Sequence, residues 1–145
     1  MSQPSWNKDI QSKDEQRRIK KFAILDAASQ LFNEKGYDQT SIDDIAAKLG
    51  VSKRTLYYYI DSKEEILFEC DKFGLEHMNE AISKSVVPGQ PPLERLETLM
   101  RAYMSLLATN FGACLVLSDD RYLSTESREF LRQGRRNLDN RARLL

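Results

Sequence analysis

One histidine and two cysteines in 145 residues leave little material for a metal centre. Zinc sites need clustered His, Cys or carboxylate ligands, and one histidine with two distant cysteines does not supply such a cluster. Cys70 and Cys114 lie 44 positions apart and match no disulfide framework or zinc spacing. Both read as buried free thiols in a reducing cytosol. No run of 18 apolar residues occurs, so no transmembrane helix is indicated. The polar start "MSQPSWNKDIQSKDEQRR" lacks the apolar stretch of a secretory signal. Walker loops, dinucleotide fingerprints and GxSxG elbows are missing too. Asp43-Asp44 and Asp119-Asp120 read as helix-start and turn acids rather than catalytic pairs. The expectation is a chain that is no enzyme, carries no cofactor and holds no metal.

Net charge is also lacking, but the zero hides a pattern. Residues 1–63 carry 11 Lys and Arg against 9 Asp and Glu, residues 64–120 carry 4 against 10, and residues 121–145 carry 7 against 3. An acidic middle between two mildly basic ends is no general polyanion binder. Any nucleic-acid contact must come from a local surface.

What is present is helical periodicity. Residues 1–13 show none and read as a disordered lead-in, after which Ile24, Ala27, Ala28, Leu31 and Phe32 recur at helical spacing from about Asp14 to Lys35. Gly36 sits where a C-cap glycine belongs. In "TSIDDIAAKLG", Thr40 or Ser41 caps a second helix with an acid three residues on, and Gly50 stops it. Val51 and Ser52 separate it from "KRTLYYYI", and Ser62 with Glu65 opens a fourth helix running to about Val86. The linker "VVPGQPPLE" precedes a fifth helix over 93–110, with Leu96, Leu99, Met100, Tyr103 and Leu107 on one stripe. "FGACLVLSDD" reads as a short apolar run ending in a turn, and Ser124 or Thr125 caps a last helix. No strand alternation persists, so the fold class is all-α.

Two short helices joined by a tight turn containing Gly form a helix-turn-helix signature. Small Ala46, Gly50 in the turn, Val51 as a corner plug, and Leu56 with Ile60 as anchors complete the pattern. The third helix also breaks a rule that its neighbours obey. Acids belong in the first turn, beside the positive end of the macrodipole. Helices two and four place Asp43, Asp44, Glu64 and Glu65 there, whereas helix three places Lys53 and Arg54. A local rule broken without compensation points to an external anion. At about 100° per residue, Tyr57 and Tyr58 fall about 100° and 160° from the core direction of Leu56. Tyr59 lies closer to the core, about 60° off.

These residues carry a likeness. Residues 18–78, above all "FNEKGYDQTSIDDIAAKLGVSKRTLYYYIDSKEEIL", closely resemble the DNA-binding domain of TetR/AcrR-family transcriptional regulators. The likeness combines "KGY", "TS", "IA", "LGVSK", "TLYYY" and "SKEEIL" in order. It implies a helix-turn-helix DNA-binding domain over 14–62, with the motif at 41–60. A helical effector-binding and dimerisation domain would follow over 63–145, either truncated or that of an unusually short member, because the chain stops at "RARLL" in mid-pattern. The family's dimerisation helices are then expected to be absent, leaving apolar faces such as Leu99, Tyr103 and Leu107 uncovered. The resemblance further implies a bacterial cytoplasmic, nucleoid-associated homodimer on palindromic double-stranded operator DNA. Such proteins mostly repress until a small molecule, here expected to be hydrophobic, binds the C-terminal helices.

Residue by residue, the family pattern puts Thr40 and Ser41 at the phosphate-contacting start of the second helix. Lys53, Arg54 and Thr55, with Ser52 before them, fall at base-reading positions, and Tyr57 and Tyr58 at phosphate or thymine-methyl contacts. Lys63 falls on a phosphate, a solvated surface lysine being the competing reading. Tyr59, a further candidate DNA contact, replaces the usual histidine, and Ile60 the usual phenylalanine. Arg54 stands where many relatives have a small residue, which suggests a bidentate guanine contact. Candidate effector contacts are Phe73, His77, Met78, Tyr103, Met104 and Phe111. A helical protein-interaction module is the rival reading; it accommodates the acidic middle but not Lys53, Arg54 and the exposed tyrosines together.

Overall fold

The computed structural model describes the backbone of residues 5–117 and 119–145, and the side chains of 12–114 and 119–145. Seven α-helices follow one another among the described residues: α1 (Ser5–Lys35), α2 (Ile42–Leu49), α3 (Lys53–Tyr59), α4 (Lys63–Ser85), α5 (Pro92–Leu107), α6 (Asn110–Leu117) and α7 (Thr125–Ala142). A 3₁₀ turn at Asp120–Tyr122 separates the last two. No strand occurs among the described residues.

Local chemistry sets most of the boundaries. Ser41 caps α2 by accepting from Asp44 N–H at 3.0 Å, and the Asp44 carboxylate accepts from Ser41 N–H at 2.9 Å. Gly50, at φ +67°, ends that helix in a Schellman pair: Val51 N–H reaches Ala46 O at 3.0 Å and Gly50 N–H reaches Ala47 O at 3.2 Å. Ser52 and Ser62 cap α3 and α4 through Thr55 N–H and Glu65 N–H, each at 3.1 Å. The Glu65 carboxylate accepts from Asp61 N–H, one residue outside a strict capping box. Ser124 caps α7.

Three expectations need correction. Of the lead-in expected over 1–13, residues 1–4 lie outside the described residues, but α1 already runs from Ser5. Between Ser5 and Lys35 there is neither Gly nor Pro to stop it. "FGACLVL", expected only as a short apolar run, is most of a helix, α6. It is separated from α5 at Ala108 and Thr109 by a tight corner. There Thr109 Oγ1 donates to Leu106 O at 2.6 Å and accepts from Gly112 N–H at 3.1 Å. A Cβ on Gly112 would fall inside van der Waals contact of the Leu106 carbonyl, so this corner requires glycine. Val51 is no buried plug, being 39% exposed beside Leu49 and Leu56; its N–H closes the α2–α3 corner.

The larger core joins Ile24, Ala28 and Phe32 of α1, Ile45 of α2, Leu56 of α3, Ile66, Leu67 and Cys70 of α4, and Phe111 and Cys114 of α6. It runs uninterrupted across the expected division at residues 62 and 63. A smaller core holds Met78, Ile82, Leu99 and Leu106, with Tyr103 and Leu138 against it. Leu99 is therefore covered, not bare, because α5 turns Leu99 and Leu106 toward α4. The uncovered apolar row of α5 is Leu93, Leu96, Met100 and Met104. Both thiols are free and buried, and burial pushes them up, Cys114 to about 12. Neither is a nucleophile near neutral pH.

Candidate nucleic-acid interface and effector cleft

A seven-residue helix is too short to stand alone in water, so α3 depends on its anchors. Leu56 is fully buried and Ile60, at the C-cap, nearly so. Fixing those two turns Lys53, Arg54, Thr55, Tyr57 and Tyr58 outward, all exposed and Tyr58 67% so. Ser52 holds Thr55 twice, through its backbone N–H and through a hydroxyl pair at 2.9 Å.

Tyr59 takes a separate position. It is half-buried, packs against the main core, and meets Tyr58 edge-on at 5.0 Å. The Arg17 guanidinium lies 5.3 Å from the Tyr58 centroid and 5.9 Å from that of Tyr59. Arg17 went unnoticed in the sequence because nothing local links α1 to α3 across 41 positions.

The charges at the start of α3 are partly answered within the chain, contrary to expectation. Lys53 Nζ lies 3.6 Å from Asp43 Oδ2 on α2, an exposed pair. Arg54 forms no ion pair or hydrogen bond among the described residues, so the argument for an external anion rests on Arg54.

Two expected phosphate contacts face inward. Thr40 is 1% exposed, and its hydroxyl donates to Gly36 O at 2.8 Å. Lys63 is half-buried. Its ammonium donates to Tyr37 O at 2.8 Å and Thr40 O at 3.0 Å, and lies 4.0 Å from the Tyr37 ring centroid. Three acceptor groups answer a cation that α4's own N-terminus would repel. Ser41 is exposed at the start of α2, its oxygen occupied by the cap.

Against known proteins, the family model described as bacterial regulatory proteins, tetR family, matches residues 24–70, the stretch from mid-α1 into α4. The chain belongs to the TetR family. Over 59 residues it is 44% identical to the Staphylococcus aureus biofilm operon icaADBC HTH-type negative transcriptional regulator IcaR, covering 41% of this chain and 32% of that protein. Over 101 residues it is 31% identical to the fatty acid metabolism regulator protein of Bacillus subtilis, covering 70% and 52%. The TetR-family regulator PfmR of Thermus thermophilus aligns with a TM-score of 0.75 at 33% identity, covering 83% of this chain and 66% of the other. AibR in complex with isovaleryl coenzyme A and operator DNA aligns at 0.68 and 29% identity, covering 81% and 64%. The chain thus spans about a third to two-thirds of the length of these proteins.

In this TetR-family chain the six candidate effector contacts do not form one site. Phe73, His77 and Phe111 line a cleft of about 350 Å³, together with Phe22, Asp26, Leu106, Thr109 and Asn110. Phe73 and Phe111 lie 4.7 Å apart, Phe22 lies 5.2 Å from Phe111, and His77 stacks on Phe73 at 6.2 Å. Asp26 accepts from Asn110 Nδ2 at 3.0 Å, which ties α1 to the start of α6 at the cleft edge. Met78 is buried in the smaller core with Tyr103 against it. Met104 is 60% exposed on the outer side of α5. Phe22 and Asp26 were missed by sequence reasoning. Their signal was a large aromatic and an acid four residues apart, off the apolar stripe of α1.

Proposed function

We propose that this chain is a sequence-specific DNA-binding transcriptional regulator, a repressor released by a small hydrophobic effector. The observation that carries the reading is the outward face of α3. Leu56 and Ile60 hold it rigid, and Arg54 and Tyr58 are presented without an intramolecular partner for the arginine. Helix-turn-helix proteins offer the N-terminal residues of this helix to base edges. Lys53, Arg54 and Thr55 then read bases, Arg54 by a bidentate guanine contact. Tyr57 and Tyr58 grip the backbone, which fixes register without reading sequence. Thr40 and Lys63 act from behind, by shaping the loop into α2. The protein works as a non-enzymatic homodimer on two operator half-sites about 34 Å apart, in the cytoplasm.

The effector is an acyl compound, taken up in the cleft of Phe22, Phe73 and Phe111. The relative named for fatty acid metabolism and the isovaleryl coenzyme A complex of AibR both support that class. Genomic fragments retained by the immobilised protein should share a palindromic sequence. Binding to that sequence should fall steeply with salt, by about 0.9 in log–log slope per phosphate neutralised. Salt-independent binding, or retention of no fragment, would instead favour a protein-interaction module.

A further inference from the structure

The turn after α6 reaches back to the loop between α1 and α2. Tyr122, in the 3₁₀ turn, donates its hydroxyl to Asp38 Oδ2 at 2.6 Å, across 84 positions of sequence. Asp38 lies in the loop between α1 and α2. The Tyr122 ring also packs on Tyr37 with centroids 4.4 Å apart. Tyr37 is the same residue whose ring and carbonyl receive the Lys63 ammonium. The loop leading to Ser41 and α2 is therefore gripped by α4 and by the turn.

The turn itself is anchored. Arg135 of α7 donates to both carboxylate oxygens of Asp120, at 3.1 and 3.2 Å, and its other Nη lies 3.9 Å from buried Asp71 of α4. Ser124 N–H donates to Glu64 at 2.6 Å. Arg121 donates to the Tyr122 hydroxyl at 3.1 Å, which leaves the phenol proton for Asp38. α6, which carries Phe111 into the effector cleft, precedes this turn in the chain.

We propose that Tyr122 is a positioning residue for DNA binding: through Asp38 and Tyr37 it holds the loop that places α2 and α3, making this contact the joint between the C-terminal helices and the operator-reading surface. The inference rests on the DNA-binding reading above. The Tyr122 hydroxyl is engaged by Asp38, so its effect passes through the loop. Tyr122→Phe keeps the ring against Tyr37 and removes the hydroxyl bond; Asp38→Ala removes its acceptor.

The test measures affinity for a recovered operator duplex by fluorescence anisotropy, for the parent chain, both single variants and the double variant, with thermal melts alongside. Each single variant should weaken operator binding about three- to tenfold, the net scale of one exposed hydrogen bond. The double variant should lose no more than the weaker single variant, because both changes break one bond. A role confined to stability would lower the melting temperature and leave operator affinity of the folded protein unchanged. Unchanged or tighter operator binding by both single variants, or losses that multiply in the double variant, overturns the joint while leaving DNA binding intact. A parent chain that retains no genomic fragment overturns the DNA-binding reading and the joint with it.

Discussion

Replacing Asp43 with asparagine should tighten DNA binding about threefold, by freeing a lysine from an internal competitor. Lys53 Nζ lies 3.6 Å from Asp43 Oδ2, and both side chains are more than half exposed, so the pair is governed by a water-like dielectric. At that separation the Coulomb attraction is about 1 kcal/mol in bulk water. Screening at physiological salt, with a Debye length of about 8 Å, leaves about 0.7 kcal/mol. Lys53 must forgo that attraction when it turns to DNA, and at 25 °C 0.7 kcal/mol is about a factor of three. Loss of an acid from the first turn of α2 works against the fold by about 0.3–1 kcal/mol, too little to unfold it. Anisotropy titrations against operator and scrambled duplexes would read the affinity. The same substitution in a Lys53→Ala background separates the pair from the general benefit of deleting a negative charge near DNA. If Asp43→Asn gains as much in that background as in the parent, Asp43 does not restrain Lys53 and the reasoning fails.

Leu56→Ala empties the fully buried anchor of α3 and should cost about 3 kcal/mol in urea denaturation; a loss under about 1 kcal/mol would mean that α3 is held by something else. Gly112→Ala places a methyl against the Leu106 carbonyl, so its melting temperature should fall clearly below that of the parent, and an unchanged melt would show that the α5–α6 corner relaxes. Asp44 is held down to about 2 from an ordinary 3.8, first by its hydrogen bond with Lys35 and then by the Ser41 N–H. Its folded-state value is depressed, so its contribution is present above the ordinary carboxylate range and is lost as pH falls through about 2. Asp44→Asn should flatten stability between pH 5 and pH 2, and an acid limb identical to the parent's would refute the link.

The elements legible in the sequence were those whose signals act within four residues. Ser41, Gly50, Ser52 and Ser62 each cap or stop a helix through their immediate neighbours, so α2, α3 and the start of α4 followed from spacing alone. The end of α5 did not, because a three-dimensional corner built by Thr109 and Gly112 decides it. α6 escaped because its short apolar sequence has no polar face to reveal a helical period. In the site, angular position on α3 separated outward Tyr58 from inward Leu56 correctly. The partners of Thr40 and Lys63, the carbonyls of Gly36, Tyr37 and Thr40, were not legible because they are presented by loop geometry that residue types do not encode. The Lys53–Asp43 pair joins two helices, and its distance depends on their crossing.

α4 begins beneath α2 and α3 and ends in the smaller core, a single rod of 23 residues and about 34 Å. Its first turns supply Ile66, Leu67 and Cys70 to the same core as Leu56 and Ile45. The reading head is therefore not a cassette that can be cut at residue 62 and grafted elsewhere. A chimera carrying α1 to α3 alone would leave a hole where those three side chains belong. A working transplant must bring its own first two turns of α4, and with them a fixed angle for whatever follows.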